Sequence, residues 1–381
     1  MEEALQKCEQ TLNDLSFATV REWKAKTGGK AVAYFPVYAP VELLHACGVL
    51  PVGLNGAGDN LDLQHADARF GSFICSVVKS TLEMGLTEKL DCFDGFLFSS
   101  ICDSARNLCW VMKRNLPQMY LDFLHLPHNP NSRSSVDYLA SEYQRLGGEL
   151  EKISGIRLSA ERLRGAIALY NHNRALVRQL YELRIQSPHL LRTSELYLLV
   201  RVGNFLPVEE HTRMLEMAVE RFPWRPGKPR DSVRVVVEGS FCEQPPLTLI
   251  RLLEEAGCYV VEDDFGLGQR WFESDIPVTG DPIEQLADSY LNRSVYSSVR
   301  HDFRKPRWAG LEEKVRRTRA DAVLFLIAKF CEPAYFDYVM FKQKLEQTGT
   351  PHLLMEFEEK MFTFERLRTE VETFVESLVF Q

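Results

Sequence analysis

Gly95-Phe-Leu-Phe-Ser-Ser-Ile-Cys-Asp103 places an apolar strand directly before a cysteine and an aspartate that is suited to cap a helix. A second stretch, Ala322-Val-Leu-Phe-Leu-Ile-Ala-Lys-Phe-Cys-Glu-Pro333, has the same order, with Glu332-Pro333 as the helix start. A buried strand followed at once by a helix is typical of parallel α/β sheets. The two stretches therefore predict two such sheets, one in each half of the chain.

The sequence around both stretches keeps this alternation. Further strands are predicted at 31–35, 49–54 and 119–123 in the first half, and at 233–237, 259–261 and 352–356 in the second half. An amphipathic N-terminal helix is predicted to end near Gly28, and residues 135–220 keep a helical period without a strand. A proline-rich stretch at 222–230 then breaks the pattern.

The predicted fold class is α/β, with two Rossmann-like parallel-sheet domains joined by a helical region and a cleft between them. The predicted domains are 1–134 (the N-terminal helix and the first α/β domain), 135–230 (the helical connection) and 231–381 (the second α/β domain).

Composition excludes several classes of protein. The net charge is −8 and no basic arm appears, which argues against nucleic-acid binding. The longest apolar run, Ala322 to Ala328, is far below the ~20 residues that cross a bilayer. The charged start does not fit a signal peptide, so we expect a cytoplasmic protein without membrane contact. Nine cysteines in a reducing compartment do not predict a disulfide framework.

Three cysteines have positions that favour chemistry. Cys102 and Cys331 follow strands, where ligands bind in open α/β sheets, and Cys75 stands at the expected start of a helix. Helix starts carry positive potential, which favours thiolates and anionic clusters. The alternative is that all three are core or loop cysteines, and spacing alone favours it because no Cys-x-x-Cys pair is present.

Four motifs resemble the 2-hydroxyacyl-CoA dehydratase and benzoyl-CoA reductase family. They are Pro40-Val-Glu-Leu-Leu-His-Ala-Cys-Gly-Val-Leu-Pro51, Ser99-Ser-Ile-Cys-Asp103, Val260-Val-Glu-Asp-Asp-Phe-Gly-Leu-Gly-Gln-Arg270 and Lys329-Phe-Cys-Glu-Pro333. The resemblance runs from about Val32 to the end, and it is strongest to the smaller cluster-carrying subunit of the ATP-dependent reductases. It implies that Cys75, Cys102 and Cys331 hold a 4Fe-4S cluster with one iron open.

The resemblance also implies a function and partners. The function is reduction of an aromatic acyl-CoA, such as benzoyl-CoA, to a cyclic diene thioester by low-potential single-electron steps. The implied partners are a homologous cluster-carrying subunit, ATP-hydrolysing electron-activating subunits, and ferredoxin as the electron donor. Two alternatives stay open: a subunit of a radical 2-hydroxyacyl-CoA dehydratase, and a subunit that only relays electrons.

Other candidates are weaker. Glu42 and His45, on the helix predicted after Pro40, are possible acid–base groups, although a structural role is favoured for both. Cys242 follows a predicted strand and is a candidate for lining the substrate site. Apolar neighbours of the three cysteines (Phe73, Ile74, Ile101 and Phe330) are predicted to shelter a cluster from water.

The remaining features are cysteines with a predicted packing role and the lack of a nucleotide-binding motif. Cys47, Cys92, Cys109 and Cys258 are expected to pack in the core. The chain lacks a phosphate-binding loop, and Gly-Leu-Gly at 266–268 lacks a third glycine, so no nucleotide site is expected here.

Overall fold

A computed structural model describes residues 1–35, 37–239, 242–265, 272–295, 297–298, 300, 302, 306–358, 361 and 363–380. Two four-stranded parallel sheets and fifteen α-helices are present in this part of the chain. The predicted α/β class with two Rossmann-like parallel sheets is confirmed.

The first sheet lies in the N-terminal third of the chain. Its strands are β1 (Lys30–Phe35), β2 (Val49–Gly53), β3 (Gly95–Ser99) and β4 (Leu121–Leu124), in the order β2-β1-β3-β4. Its helices are α1 (Glu2–Asn13), α2 (Ala18–Thr27), α3 (Val41–Ala46), α4 (Gln64–Asp67), α5 (Ser76–Leu86) and α6 (Asp103–Asn115). Every residue of β2 and β3 is buried, as expected for strands covered on both faces.

The N-terminal helix differs from the prediction. One helix was expected to end near Gly28, and the chain instead forms α1 and α2 with a break between them. The Asp14 carboxylate accepts hydrogen bonds from the backbone N–H groups of Ser16 and Ala18, both at 2.8 Å. Such local bonds compete with helix propagation, so Asp14 ends one helix and supports the start of the next. Gly28 does end α2, with a φ of 67°.

Four helices connect the two sheets in sequence. They are α7 (Arg133–Ser154), α8 (Ala160–Gln186), α9 (Thr193–Val202) and α10 (Val208–Arg221). Their apolar side chains belong to two cores: Leu139 and Tyr143 of α7 join the core of the first sheet, whereas Leu199 and Leu215 pack with α1.

The second sheet repeats the topology of the first. Its strands are β5 (Val233–Glu238), β6 (Cys258–Glu262), β7 (Ala322–Ala328) and β8 (His352–Phe357), in the order β6-β5-β7-β8. Its part of the chain contains α11 (Leu247–Glu255), α12 (Pro282–Asn292), α13 (Arg307–Thr318), α14 (Glu332–Thr348) and α15 (Glu365–Val379). All seven residues of β7 are buried. Among the described residues, no helix combines the length and apolarity needed to cross a bilayer.

Candidate metal centre

Each sheet has a topological switch point at its centre. The connection from β1 runs to β2 on one side, and the chain then returns to place β3 on the other side of β1. The strands β6 and β7 flank β5 in the same way. Open α/β sheets bind ligands in the crevice outside such a point, at the carboxyl ends of the strands. Cys102 follows β3 and Cys331 follows β7, so both cysteines stand at a switch point.

Three cysteines are the N-cap residues of helices. Cys75 precedes α5, Cys102 precedes α6 and Cys331 precedes α14. Backbone N–H groups of the first helical turn lower the pKa of each thiol; they come from Val78 for Cys75, from Ser104 and Ala105 for Cys102, and from Ala334 for Cys331. Free N–H groups and the helix dipole both favour negative charge at these positions. These groups favour the thiolate form, while burial opposes it more strongly in the chain without a cation.

Exposure divides the nine cysteines into two groups. Five are buried: Cys8, Cys47, Cys92, Cys109 and Cys258. The other four are half-buried, and they pack against one hydrophobic core; we call Cys75, Cys102, Cys242 and Cys331 the four-thiol group. Burial of the first set agrees with a packing role, while partial exposure leaves the second set accessible to a ligand.

The thiols of this group are within electrostatic reach of one another. Burial raises the pKa of Cys75 well above its usual range, and Glu243, Cys331 and Cys102 raise it further. Burial likewise raises the pKa of Cys331 to about 12, with smaller contributions from Cys102 and Glu243. Without a cation the thiols are protonated at neutral pH, and a bound metal reverses this by stabilising the thiolates.

Sulfur is the donor type that iron–sulfur clusters take. Within the described ranges, no three Cys, His, Asp or Glu residues are close enough together to hold one metal ion. Zinc requires its sulfur donors to converge at about 2.3 Å from one centre. A cubane distributes its thiolates over different irons and so accepts a wider arrangement of soft donors. Cys75, Cys102 and Cys331 are the residues that would hold it.

The loop after β5 brings a carboxylate to this site. Gly239 begins the loop with a φ of 111°, and a Cβ there would lie 2.7 Å from the Leu326 carbonyl oxygen, so only glycine fits. Glu243, which is buried, accepts hydrogen bonds from the Ser76 hydroxyl at 2.7 Å and from the Val77 backbone N–H at 3.2 Å. The loop is thereby attached to the first turn of the helix that begins after Cys75.

Further polar groups face the same region, and sequence reasoning missed them. Tyr38, in the loop after β1, is buried and donates its hydroxyl to Ser297. Burial raises the pKa of Tyr38 to about 12, and the Cys242 thiol and Arg307 are among the groups that act on it. Partial burial lowers the pKa of Arg307, and Glu238 and Tyr38 are among the groups that act against this. The position of Tyr38 just after a strand was the available signal for it.

Comparison with known proteins identifies the family. The family model described as 2-hydroxyglutaryl-CoA dehydratase, D-component, matches residues 36–378. The chain belongs to this family. It is 36% identical over 374 residues to a benzoyl-CoA reductase subunit of Thauera aromatica, covering 98% of this chain and 97% of that protein.

Two dehydratase subunits are also similar to this chain. It is 29% identical over 353 residues to the (R)-phenyllactyl-CoA dehydratase beta subunit of Clostridium sporogenes, covering 93% of both chains. It is 26% identical over 364 residues to the (R)-2-hydroxyglutaryl-CoA dehydratase beta subunit of Acidaminococcus fermentans, covering 94% of both chains. The relatives of this chain therefore include both reductase and dehydratase subunits. The family match spans all members of the four-thiol group.

Glu42 and His45 have partners outside the four-thiol group. Glu42 is fully buried and forms an ion pair with Arg174 of α8, with 2.5 Å between Oε1 and Nη1. His45 stands 3.6 Å from Glu209 and packs edge-on against Tyr170. Among the described residues, no contact found for either side chain reaches the four-thiol group. Gly-Leu-Gly at 266–268 lies outside the described residues.

The predicted shelter around the thiols is only partly correct. Ile101, directly before Cys102, is 6% exposed, whereas Phe73 is 70% exposed and Phe330 is 42% exposed. Phe330 has a φ of 67°, which turns the backbone into the left-handed region directly before Cys331. The prediction that Phe73 and Phe330 bury the site within this chain is therefore wrong: their side chains face outward beside it.

Proposed function

We propose that this chain is the cluster-carrying subunit of an aromatic acyl-CoA reductase and that Cys75, Cys102 and Cys331 hold its 4Fe-4S cluster. The observation that carries this proposal is the presence of three half-buried thiols at three helix N-termini, all within electrostatic reach of one another. The similarity to a benzoyl-CoA reductase subunit supports an aromatic thioester as the substrate class.

The chemistry is a two-electron, two-proton reduction. When bound, the cluster supplies single electrons at low potential. Two electrons and two protons add to the aromatic ring, one ring double bond is lost, and the donor is oxidised by two electrons. The chain contributes the helix N-termini that stabilise the thiolates and the buried carboxylate of Glu243, whose negative charge opposes reduction and so lowers the potential.

The surface beside the thiols supports a partner subunit. Phe73 and Phe330 expose apolar side chains close in sequence to Cys75 and Cys331, which are themselves only partly buried. A homologous cluster-carrying subunit placed over these side chains would exclude water from the site. As the resemblance implies, electrons would come from ferredoxin through ATP-hydrolysing subunits.

Association with the homologous subunit tests this arrangement. Phe73→Asp should weaken co-purification of the two subunits at least tenfold, because the charge would be buried in the interface. Trp224→Asp is the matched control, since Trp224 is 87% exposed but lies in the proline-rich segment. Equal binding by both variants would place the partner on another surface.

A radical dehydratase is the second candidate, and a specific observation favours it. Two relatives at 29% and 26% identity are named as beta subunits of dehydratases, and each covers more than nine-tenths of this chain. In that case the same thiols would serve the elimination of water from a 2-hydroxyacyl-CoA.

The decisive experiment measures cofactor and reaction together. Protein purified without oxygen should contain iron and acid-labile sulfide in equal amounts, and Cys75→Ala, Cys102→Ala and Cys331→Ala should each lose or convert the cluster. Cys109→Ala, at a buried core position, is the control and should keep it.

The complex reconstituted with the homologous and ATP-hydrolysing subunits should then reduce benzoyl-CoA and leave phenyllactyl-CoA unchanged. The opposite preference would establish the dehydratase. Iron-free protein, or a Cys75→Ala variant with the native EPR signal, would refute the site.

A further inference from the structure

A fourth cysteine lies with the three that the family resemblance assigns. Cys242 is half-buried like Cys75, Cys102 and Cys331, whereas the other five cysteines are buried. It stands in the loop after β5, and Cys331 follows β7. Since β5 and β7 border the switch point of the second sheet, both cysteines occupy the ligand-binding crevice of that sheet.

Contacts of the residues that follow Cys242 hold its loop in place. The next residue, Glu243, is hydrogen-bonded to Ser76 and Val77, the two residues that follow Cys75. Beyond it, the carbonyl oxygen of Pro245 accepts a hydrogen bond from the buried Tyr197 hydroxyl at 2.7 Å. These bonds fix the loop against α5 and α9, so the proximity of Cys242 to Cys75 is built into the fold.

The Cys242 sulfur has the other three thiols as its electrostatic neighbours. Cys331, Cys102 and Cys75, in that order of strength, are the groups that act on it most after burial, and they act through charge. Together with the loop contacts above, these influences place the Cys242 sulfur in the same region as the three other thiols. A thiol that lies among three other soft donors has the environment of a metal ligand.

We propose that Cys242 supplies a fourth thiolate to the 4Fe-4S cluster in the resting chain. This inference rests on the proposed function, since it assumes the cluster on Cys75, Cys102 and Cys331. On binding, the thiol releases its proton to solvent and its sulfur takes the iron that the three other cysteines leave open. No electron is gained or lost in this exchange. The resting site then has a complete set of protein sulfurs.

Oxidation provides a readout that is independent of activity. An iron that lacks a protein thiolate is the one that oxidants remove, which converts the cluster to a three-iron form with its own EPR signal. A fourth thiolate protects that iron. The test uses the full chain, reconstituted without oxygen and treated with one equivalent of ferricyanide.

We expect the unmodified chain to keep its iron and to give little three-iron signal. Cys242→Ala should increase that signal at least fivefold and lose one iron per cluster. Cys242→Ser should give an intermediate result with altered g-values, because a serine oxygen can replace the sulfur. Cys109→Ala is the control and should behave like the unmodified chain, and circular dichroism should show that every variant is folded.

The outcomes separate this inference from the proposed function. Equal three-iron signals from the unmodified chain and Cys242→Ala would overturn the role of Cys242 and leave the three-cysteine cluster in place. A chain that binds no iron or sulfide under any condition would overturn the proposed function, and this inference with it.

Discussion

Glu243 provides the sharpest test of how this chain controls a cluster. Its carboxylate is buried, and it is hydrogen-bonded to the first turn of the helix that begins after Cys75. Glu243→Gln keeps the size of the side chain and an oxygen that can accept a hydrogen bond from Ser76, but it removes the negative charge. Because a negative charge opposes electron uptake, the variant should have a higher cluster potential.

The expected change in cluster potential depends on how far the Glu243 charge lies from the cluster and on how well water screens it. For an assumed separation on the order of 7 Å and an effective dielectric constant of about 20, a unit charge contributes roughly 2.4 kcal/mol. For a one-electron couple this corresponds to about 100 mV. The Glu243→Gln potential should therefore be higher by roughly this amount, and reduction of the aromatic thioester should slow because the driving force is smaller.

A redox titration followed by EPR measures the shift. Asp103→Asn is the matched control: Asp103 is directly next to Cys102 in sequence, but its side chain is 92% exposed and is therefore screened by water. Its shift should be about a quarter as large, in the ratio of the dielectric constants of roughly 20 and 80. Equal shifts for both variants, or no shift for Glu243→Gln, would refute the argument that this buried carboxylate sets the potential.

Three further predictions concern shelter, stability and pH. Ile101→Ser should raise the cluster potential because it admits water beside Cys102. Phe330→Ser should change the potential little in the isolated chain, where Phe330 is already exposed. A redox titration in which both variants shift the potential alike would contradict this. Glu42→Ala should lower the free energy of unfolding by about 3–5 kcal/mol in denaturant titrations, because it leaves Arg174 buried without its partner. The spectrum of the cluster should stay native. Loss of the cluster with unchanged stability would instead favour a role of Glu42 at the site. Burial lowers the pKa of His211 to about 4, below its unfolded value of about 6.5. The contribution of His211 to stability is therefore complete above pH 6.5 and is lost as the pH falls towards 4. Unfolding curves across this range should show that the free energy of unfolding falls by roughly 3 kcal/mol, and His211→Asn should remove this pH dependence.

The sequence alone predicted those strand ends and helix ends that depend on neighbouring residues. An apolar run followed within a few residues by a cysteine and a helix start predicted the turns at Cys102 and Cys331, and both lie where expected. Gly28 marked the end of α2 in the same way. Such signals depend on contacts within about one helical turn, so they can be seen without knowing the rest of the chain. The break at Asp14 was missed because its side-chain bonds to Ser16 and Ala18 compete with a helix that the apolar pattern also allows.

Tertiary structure decided which residues meet. Glu243 and Ser76 are separated by 167 residues, and Glu42 and Arg174 by 132 residues. No local sequence pattern could therefore predict either contact. The same holds for exposure: all nine cysteines are small and moderately apolar, and only the packing of two sheets and their helices leaves four of them half-buried. The positions of strands and helices are set by the residue pattern of each segment. The tertiary contacts of a side chain depend instead on how distant segments pack together.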